Sequence, residues 1–597
     1  MKKRVYLAVM AMVMMMECFA GCGNKTKDPV TNPPIETMNP GQQNPEQNNQ
    51  NPDGQKTEPE KKMSVVEKFI KEHPDYNGED KKGILSFFSN SSASRGQSYS
   101  SAPAMVECEE ACYDVAVPSD GYYEYENPFN TEEYSAITVN GFSKVALSPL
   151  STFSADVDTA SYSNVRRFFN SGYAPSEIPK GSVRTEEMVN YFTYNYNYPK
   201  AGEPFGVTTQ ISKCPWNENS KLLTVGLQTE KIDFSQSPDS NIVFLIDVSG
   251  SMYDENKLPL LVDSFILMLQ ELGEKDRVSI VTYAGEDRVV LKGVPASEKE
   301  TIEEALRGLS AGGGTNGGRG IISAYKLAEE NFIEGGNNRV ILATDGDLNI
   351  GVTNTSDLKD LIKEESETGV FLTILGFGMG NYSDTNLETM ADSGNGNYAY
   401  IDDIKEAKKV LCDQLGATMV TAAKDVKLQV EFNPAVVSEY RLIGYEDRTL
   451  AAEDFKDDTK DAGEIGAGHS VTAIYEIVTV DQKKNEEEGL KYQETKLTDE
   501  ALSSDEWLTL SIRYKEPSED TSKLLEYPIG NSSYTETPSD DFVFASAVAE
   551  FAQILRGEEF VGDAKVSDIY DVISKMELKD DYREDFFQMV KQAMANE

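Results

Sequence analysis

The residues best placed to do chemistry lie in residues 241–252, which read NIVFLIDVSGSM. Asp247, Ser249 and Ser251 occupy alternate positions, so one carboxylate and two hydroxyls can converge where a strand meets its loop. Hard oxygen donors of this kind suit Mg²⁺, with Mn²⁺ or Ca²⁺ as further possibilities. D-x-S-x-S alone is a short pattern, and two distant stretches supply what it lacks. Residues 312–318 read GGGTNGG; the glycines let backbone fold closely around an ion or ligand, and Thr315 offers a third hydroxyl just before a helix. No Lys-Ser/Thr follows, which argues against a Walker-type phosphate loop. Asp345 in RVILATDGD ends its apolar run as Asp247 ends its own. Asp347, in the same turn, is an outer-shell candidate or a solvated turn acid.

Such residues meet only if their strands end on one edge of a sheet. Residues 242–246 are consecutive apolar residues bounded by polar ones, the pattern of a strand covered on both faces. Strand patterns recur at 277–285, 287–294, 338–347, 370–378 and 396–402, and helix patterns at 257–272, 299–309, 320–332, 356–368, 386–392 and 403–423. This alternation predicts an α/β fold with a doubly wound, mostly parallel sheet, whose sites lie at the carboxyl ends of strands. Beyond 424, DVKLQVEF, YRLIGYE, SVTAIYEIVTV and WLTLSIRYK alternate with period two, predicting antiparallel strands with one wet face. A charged loop is expected over 481–506, and helices over 541–556, 566–576 and 582–595. Upstream, residues 160–170 predict a helix with Val165, Phe168 and Phe169 on one face. The string Asp156-Val157-Asp158-Thr159 follows too weak an apolar run for a phosphatase nucleophile. It also lacks the Gly and Glu of a calcium loop, with Arg167 at the Glu position. Asp158 or Thr159 is expected simply to start the helix.

With Asp247, Ser249, Ser251, the glycine-flanked Thr315 and the strand-end Asp345 in this order, the region resembles a von Willebrand factor type A domain and its metal-ion-dependent adhesion site. The resemblance implies that these five residues hold the metal. The serines and threonine would contact Mg²⁺ directly in the ligand-competent form, the aspartates often through water, and a partner's Asp or Glu would fill the open position. More widely, TFSADVDTASYSNVRRF, the middle region, VEFNPAVVSEYRLIGYEDR and AGEIGAGHSVTAIYEI are similar to a bacterial lipoprotein family. That family sets this domain between its own N- and C-terminal regions, here an α+β region and a β-rich region with helices.

Lys2, Lys3 and Arg4 precede an apolar run over 5–16, too short to span a bilayer, which reads as an export signal. Phe19-Ala20-Gly21-Cys22 resembles the lipobox of bacterial lipoproteins, which implies a lipidated Cys22 at the mature N-terminus. The stretch to 62 is rich in Asn, Gln, Pro, Lys and Glu, too polar to fold, and as a coil would reach about 35 Å. The expected order is therefore a signal peptide (1–21), a disordered tether (22–62) and a loosely organised region (63–145). An N-terminal domain (146–238), the von Willebrand factor type A domain (239–423) and a C-terminal β-rich domain with terminal helices (424–597) follow. In an exported chain the Cys108/Cys112 pair of VECEEACYD suits a disulfide better than a metal. With Cys214 and Cys412, three pairings are open.

The formal net charge of −45 excludes a nucleic-acid partner, which needs a basic footprint, and fits a soluble surface. His73 and His469 are the only histidines, so no H-E-x-x-H zinc helix exists and any Ser-His-Asp triad would need one of them. Both are expected to be structural or surface residues. The expected function is a non-enzymatic, metal-dependent protein-binding module, lipid-anchored outside the cytoplasmic membrane in the cell envelope. The alternatives are a scaffold with a non-exchanging metal site and, further off, a metal-assisted hydrolase.

Overall fold

The structure is a computed structural model that describes residues 63–72, 132, 134–155, 157–232, 237–346, 355–379, 384–460, 462–480 and 496–596. The expected leader and tether with Cys22, and His73, Cys108, Cys112, Asp156 and Asp347, lie outside these residues.

Helix α1 (Val65–Glu72) opens with a reciprocal cap, Ser64 Oγ accepting from Glu67 N and Glu67 Oε2 from Ser64 N, both at 3.2 Å. Strands β1 (Ser143–Lys144) and β2 (Leu150–Ser154) precede α2 (Ala160–Asn170), α3 (Thr185–Asn190), β3 (Phe205–Lys213) and β4 (Lys221–Thr229). Thr159 is the N-cap of α2 but makes no side-chain cap bond. Thr159 thus starts the helix, as expected of it or Asp158, and Asp158 lies one residue before the cap. Its Oδ1 accepts from the backbone N of Tyr398 at 3.1 Å, a long-range tie that local spacing does not encode.

The middle of the chain builds the predicted α/β layer. It runs β5 (Ser240–Asp247), α4 (Leu258–Glu271), β6 (Arg277–Tyr283), β7 (Asp287–Pro295), α5 (Lys299–Arg307), α6 (Gly317–Glu330) and β8 (Asn337–Thr344). It continues with α7 (Thr355–Thr368), β9 (Val370–Phe377), α8 (Asp384–Ser393) and β10 (Tyr398–Ile401). The six-stranded sheet is ordered β10-β9-β8-β5-β6-β7, parallel except for β7 at one edge. All of β5 is buried, which is why its sequence shows no alternation. Helices cover both faces: Val243, Leu245 and Leu342 meet Ile321 and Leu361, while Phe244 and Ile246 meet Leu261 and Phe265. The helix expected over 403–423 breaks into α9 (Ile404–Lys408), a π turn (Lys409–Asp413) and α10 (Leu415–Met419). Thr421 already begins β11 (Thr421–Phe432), in keeping with the strand preference of β-branched Val420 and Thr421.

Beyond β11 come β12 (Val437–Ile443), β13 (Ile465–Gly466), β14 (Ser470–Thr479), α11 (Asp499–Ser503), β15 (Glu506–Lys515) and β16 (Lys523–Gly530). The chain closes with α12 (Asp540–Arg556), α13 (Val566–Ile573) and α14 (Asp581–Asn596). The expected separate domains at 146–238 and 424–597 are one body. One sheet is ordered β1-β12-β14-β4-β3 and the other β13-β11-β15-β16, with β2 on β11. Phe153, Leu223 and Val225 from the first segment share a core with Leu428, Tyr475 and Leu510 from the second. Strand pairing satisfies edge N–H and C=O groups wherever the partner comes from, and period-two alternation does not name that partner. Buried and half-buried ion pairs hold this body to the α/β layer. Arg166 Nη2 meets Glu406 at 2.7 Å and Arg184 Nη2 meets Glu388 at 2.9 Å. Arg448 meets Glu388 at 2.9 Å and Asp392 at 2.8 Å.

Helix α1 lies on α6 and α7, with Val66 buried and its N donating to Glu329 Oε1 at 3.3 Å. Beneath it, burial and the neighbouring Glu329 carboxylate push Glu365 up to about 8. From the usual carboxylate range up to about 8, the folded chain holds a proton that the unfolded chain has lost. This group therefore weakens the fold as pH rises through that window. Glu365→Gln should flatten that decline and stabilise the chain by about 1–3 kcal/mol at about pH 9 with little effect at about pH 4, read from thermal unfolding midpoints.

Candidate metal centre

In the central sheet the chain leaves β5 toward β6 on one side and β8 toward β9 on the other. The carboxyl ends of β5 and β8 therefore flank the switch point, where open α/β sheets form a crevice. Asp247 is the last residue of β5, and Asp345 is the first beyond β8. Both are buried. The parallel register pairs Ile246 with Ala343, so Asp247 stands level with Thr344 and Asp345 one residue beyond on the adjacent strand.

The loops bring the hydroxyls to this edge. Ser249 N donates to Asp247 Oδ1 at 2.8 Å, and the Ser249 and Ser251 hydroxyls share a hydrogen bond at 2.9 Å. Gly250 N donates to Gly313 O at 3.1 Å and Gly312 N to Val248 O at 2.8 Å, which lays the glycine loop alongside the D-x-S-x-S turn. Gly313 has φ +91, a conformation that disfavours a side chain. Thr315 follows, half-buried, just before α6. Asp247 and Ser249 are fully covered, Ser251 and Thr315 are half-buried and Gly312, Gly313 and Gly314 are exposed, so the set opens to solvent on the loop side.

The two carboxylates are satisfied unequally. Asp247 Oδ2 accepts from Thr344 Oγ1 at 3.1 Å and from Tyr283 Oη at 3.3 Å. Burial pushes its carboxyl up to about 6, with the nearby Asp345 charge adding to the rise and the Ser249 bonds opposing it. Asp345 Oδ2 accepts from Lys257 Nζ at 3.0 Å, whereas Asp345 Oδ1 is buried without a partner. A buried carboxylate oxygen without a donor is costly, and this one lies at an edge that also carries the Ser249 and Ser251 hydroxyls, with Thr315 on the adjoining glycine loop. A hard divalent cation fits that donor set. Among the described residues no three His, Cys, Asp or Glu side chains cluster to hold a metal, so an ion here would need the hydroxyls.

Lys257, Tyr283, Thr344 and Gly378 take part without having been singled out in the sequence. One signal was present: Lys257 caps the N-terminus of α4, where the helix dipole disfavours a cation, so a buried carboxylate partner could have been sought. Gly378 (φ +74) leaves room for the Lys257 stem, and a Cβ there would lie 2.4 Å from Lys257 Cε. Tyr400 Oη donates to the Gly378 carbonyl. His469 lies in the flanking body, its carbonyl accepting from Thr229 N at 3.0 Å; burial pushes its imidazole down to about 4. Among the described residues Cys214 and Cys412 are free thiols, which burial pushes up to about 12 and about 11.

Residues 128–224 match the family model described as von Willebrand factor, residues 241–411 the von Willebrand factor type A domain, and residues 417–595 the C-terminal model of uncharacterized protein YfbK. The chain is 40% identical over 476 residues to uncharacterized protein YfbK of Escherichia coli strain K12, covering 78% of this chain and 82% of that protein. It is 30% identical over 146 residues to inter-alpha-trypsin inhibitor heavy chain H4 of Homo sapiens, covering 23% of this chain and 16% of that protein. Among solved structures, von Willebrand factor type A from Catenulispora acidiphila aligns with TM-score 0.39 and 17% identity, covering 67% of this chain and 91% of that chain.

The packing of Lys257 on Gly378 makes a direct prediction. Gly378→Ala should cost about 1–3 kcal/mol, from a strained backbone and a displaced lysine stem. Gly312→Ala, whose Cβ meets nothing within 4 Å, should be close to neutral. Thermal unfolding of the full chain in chelator compares the two.

Proposed function

Because the chain belongs to the YfbK family of von Willebrand factor type A domain proteins, we propose that it is a divalent-metal-dependent protein-binding module. Asp247, Ser249, Ser251, Thr315 and Asp345 would hold the ion, with Mg²⁺ favoured and Mn²⁺ or Ca²⁺ as substitutes. The observation that carries the reading is Asp345 Oδ1, buried and unpartnered at the switch point of a parallel sheet. When bound, the ion supplies an open coordination position that attracts a carboxylate, so the partner is a protein presenting Asp or Glu. The chain's own residues do the positioning. The Ser249 backbone, Thr344 and Tyr283 fix Asp247, and the glycine loop, bonded to the D-x-S-x-S turn, would carry Thr315 to the ion.

The same proposal covers place and chemistry. Cys22 carries the lipid and the polar stretch after it is the tether, so the domain works outside the cytoplasmic membrane, in the cell envelope. Binding is favoured over turnover. Among the described residues, His469 lies half-buried in the flanking body and Ser249 and Ser251 are taken up as ligands, so neither a histidine base nor a free serine serves this edge.

Mn²⁺ titration of the purified chain is expected to show one site, weakened at least about tenfold by Thr315→Ala or Asp247→Ala in folded protein. Envelope protein captured in Mg²⁺ should be released by chelator and lost with either variant. Capture unaffected by both variants would sink the reading. In cell fractionation, Cys22→Ser should move the chain from the membrane to the soluble fraction; unchanged partition would rule out the anchor.

A further inference from the structure

Lys257 touches the proposed metal edge, yet none of the ligand roles accounts for it. It is 5% exposed, and its Nζ donates to Asp345 Oδ2 at 3.0 Å. Its stem lies where a Cβ on Gly378 would come within 2.4 to 2.8 Å of Cε, Cγ and Cδ, so the fold has made space for this side chain. The dipole of α4 opposes a cation at its N-cap, so the carboxylate has to hold it there. Asp345 is thereby divided, with one oxygen on a resident ammonium and the other buried and unpartnered.

We propose that Lys257 is a resident counter-cation of the metal site, which makes metal loading exchangeable and sets the charge of the loaded edge. Without metal, the ammonium keeps Asp345 in place, so the edge stays formed. An incoming dication meets a like charge on the far oxygen of its own ligand, so it binds more weakly than two carboxylates and three hydroxyls alone would hold it. Once it is bound, the two carboxylates cancel its charge and the ammonium is left over. Among the described residues these charged groups then sum to one net positive charge, which favours an acidic residue over a neutral one as the final ligand. This deepens the metal-dependent binding reading and rests on it. It separates an exchanging adhesion site from a scaffold that keeps its ion.

The experiment is calorimetric titration of Mn²⁺ into the full chain, comparing wild type with Lys257→Met and Lys257→Gln, together with thermal unfolding in chelator and in Mn²⁺. Gln keeps a donor for Asp345 without the charge. Both variants should bind Mn²⁺ at least about tenfold more tightly than wild type, since even a well-screened like charge a few ångströms away has that effect. Both should unfold at a lower temperature than wild type in chelator and regain the loss in Mn²⁺. A Met variant that folds only with Mn²⁺ also supports the proposal, the dication having replaced the ammonium. Equal or weaker Mn²⁺ affinity in a folded variant overturns it and leaves Lys257 a structural pair, as does failure of both variants to fold with the metal present. Absence of Mn²⁺ uptake by all three proteins overturns the metal reading itself, and so is distinguishable.

Discussion

Two carboxylates buried side by side, at the ends of adjacent parallel strands, are the constraint to which this edge of the molecule answers. An ionised carboxylate leaves water at a cost of several kcal/mol or more unless donors or cations replace the solvent. Asp247 receives a backbone N–H and two hydroxyls, yet its carboxyl is still pushed up to about 6. Asp345 receives one ammonium and leaves an oxygen bare. Much of the local architecture serves this pair. The glycine loop folds back on the D-x-S-x-S turn, Tyr283 turns its hydroxyl inward, and Gly378 gives up a side chain so that Lys257 can enter. On the proposed reading, a dication completes the set.

The body formed by the two chain ends answers a different need. The α/β layer is inserted between β4 and β11, and strands on either side of the insertion pair with each other. Closing that sandwich fixes both ends of the insert. The buried arginines Arg166 and Arg184 and the half-buried Arg448 then bind it laterally through Asp402, Glu406, Glu388 and Asp392. Removing one partner from a buried pair such as Arg166–Glu406 leaves a buried charge uncompensated, which costs about 3–5 kcal/mol. These pairs therefore define how the two layers meet.

What could be read from the sequence was local. The run from Ile242 to Ile246 announced a covered strand, the β-α rhythm announced a parallel sheet, and two strand-end acids announced an edge. The α/β layer followed from these, as did most helix limits to within a few residues. The strands Phe205–Lys213 and Lys221–Thr229 were not foreseen. They pair with each other as a hairpin, but β4 joins the sheet through β14, some 250 residues later by register, and no local period carries that information. Asp158 shows the same limit, looking like a helix cap but bonding across to Tyr398. Lys257 was hidden for another reason. A lysine ahead of an apolar helix reads as a solvated end, and its burial depends on a glycine 121 positions on, at Gly378.

The flank and the edge are joined by contact. Arg166 holds Asp402 just past β10, and Arg167 lies 5.2 Å over the Tyr400 ring. Tyr400 bonds the Gly378 carbonyl, Gly378 bears on the Lys257 stem, and Lys257 holds Asp345. This line runs along the carboxyl ends of β10, β9 and β8 to the proposed metal position. Contiguity of this kind is not coupling, which requires an element with two arrangements whose balance both ends can bias. A partner bound at the edge could shift such a balance only by the difference in its affinity for the two arrangements. The buried ammonium bears on that difference, because it holds Asp345 with or without an ion. With Asp345 tied in both states, loading the edge changes its charge more than its shape, and selection of the partner falls to electrostatics.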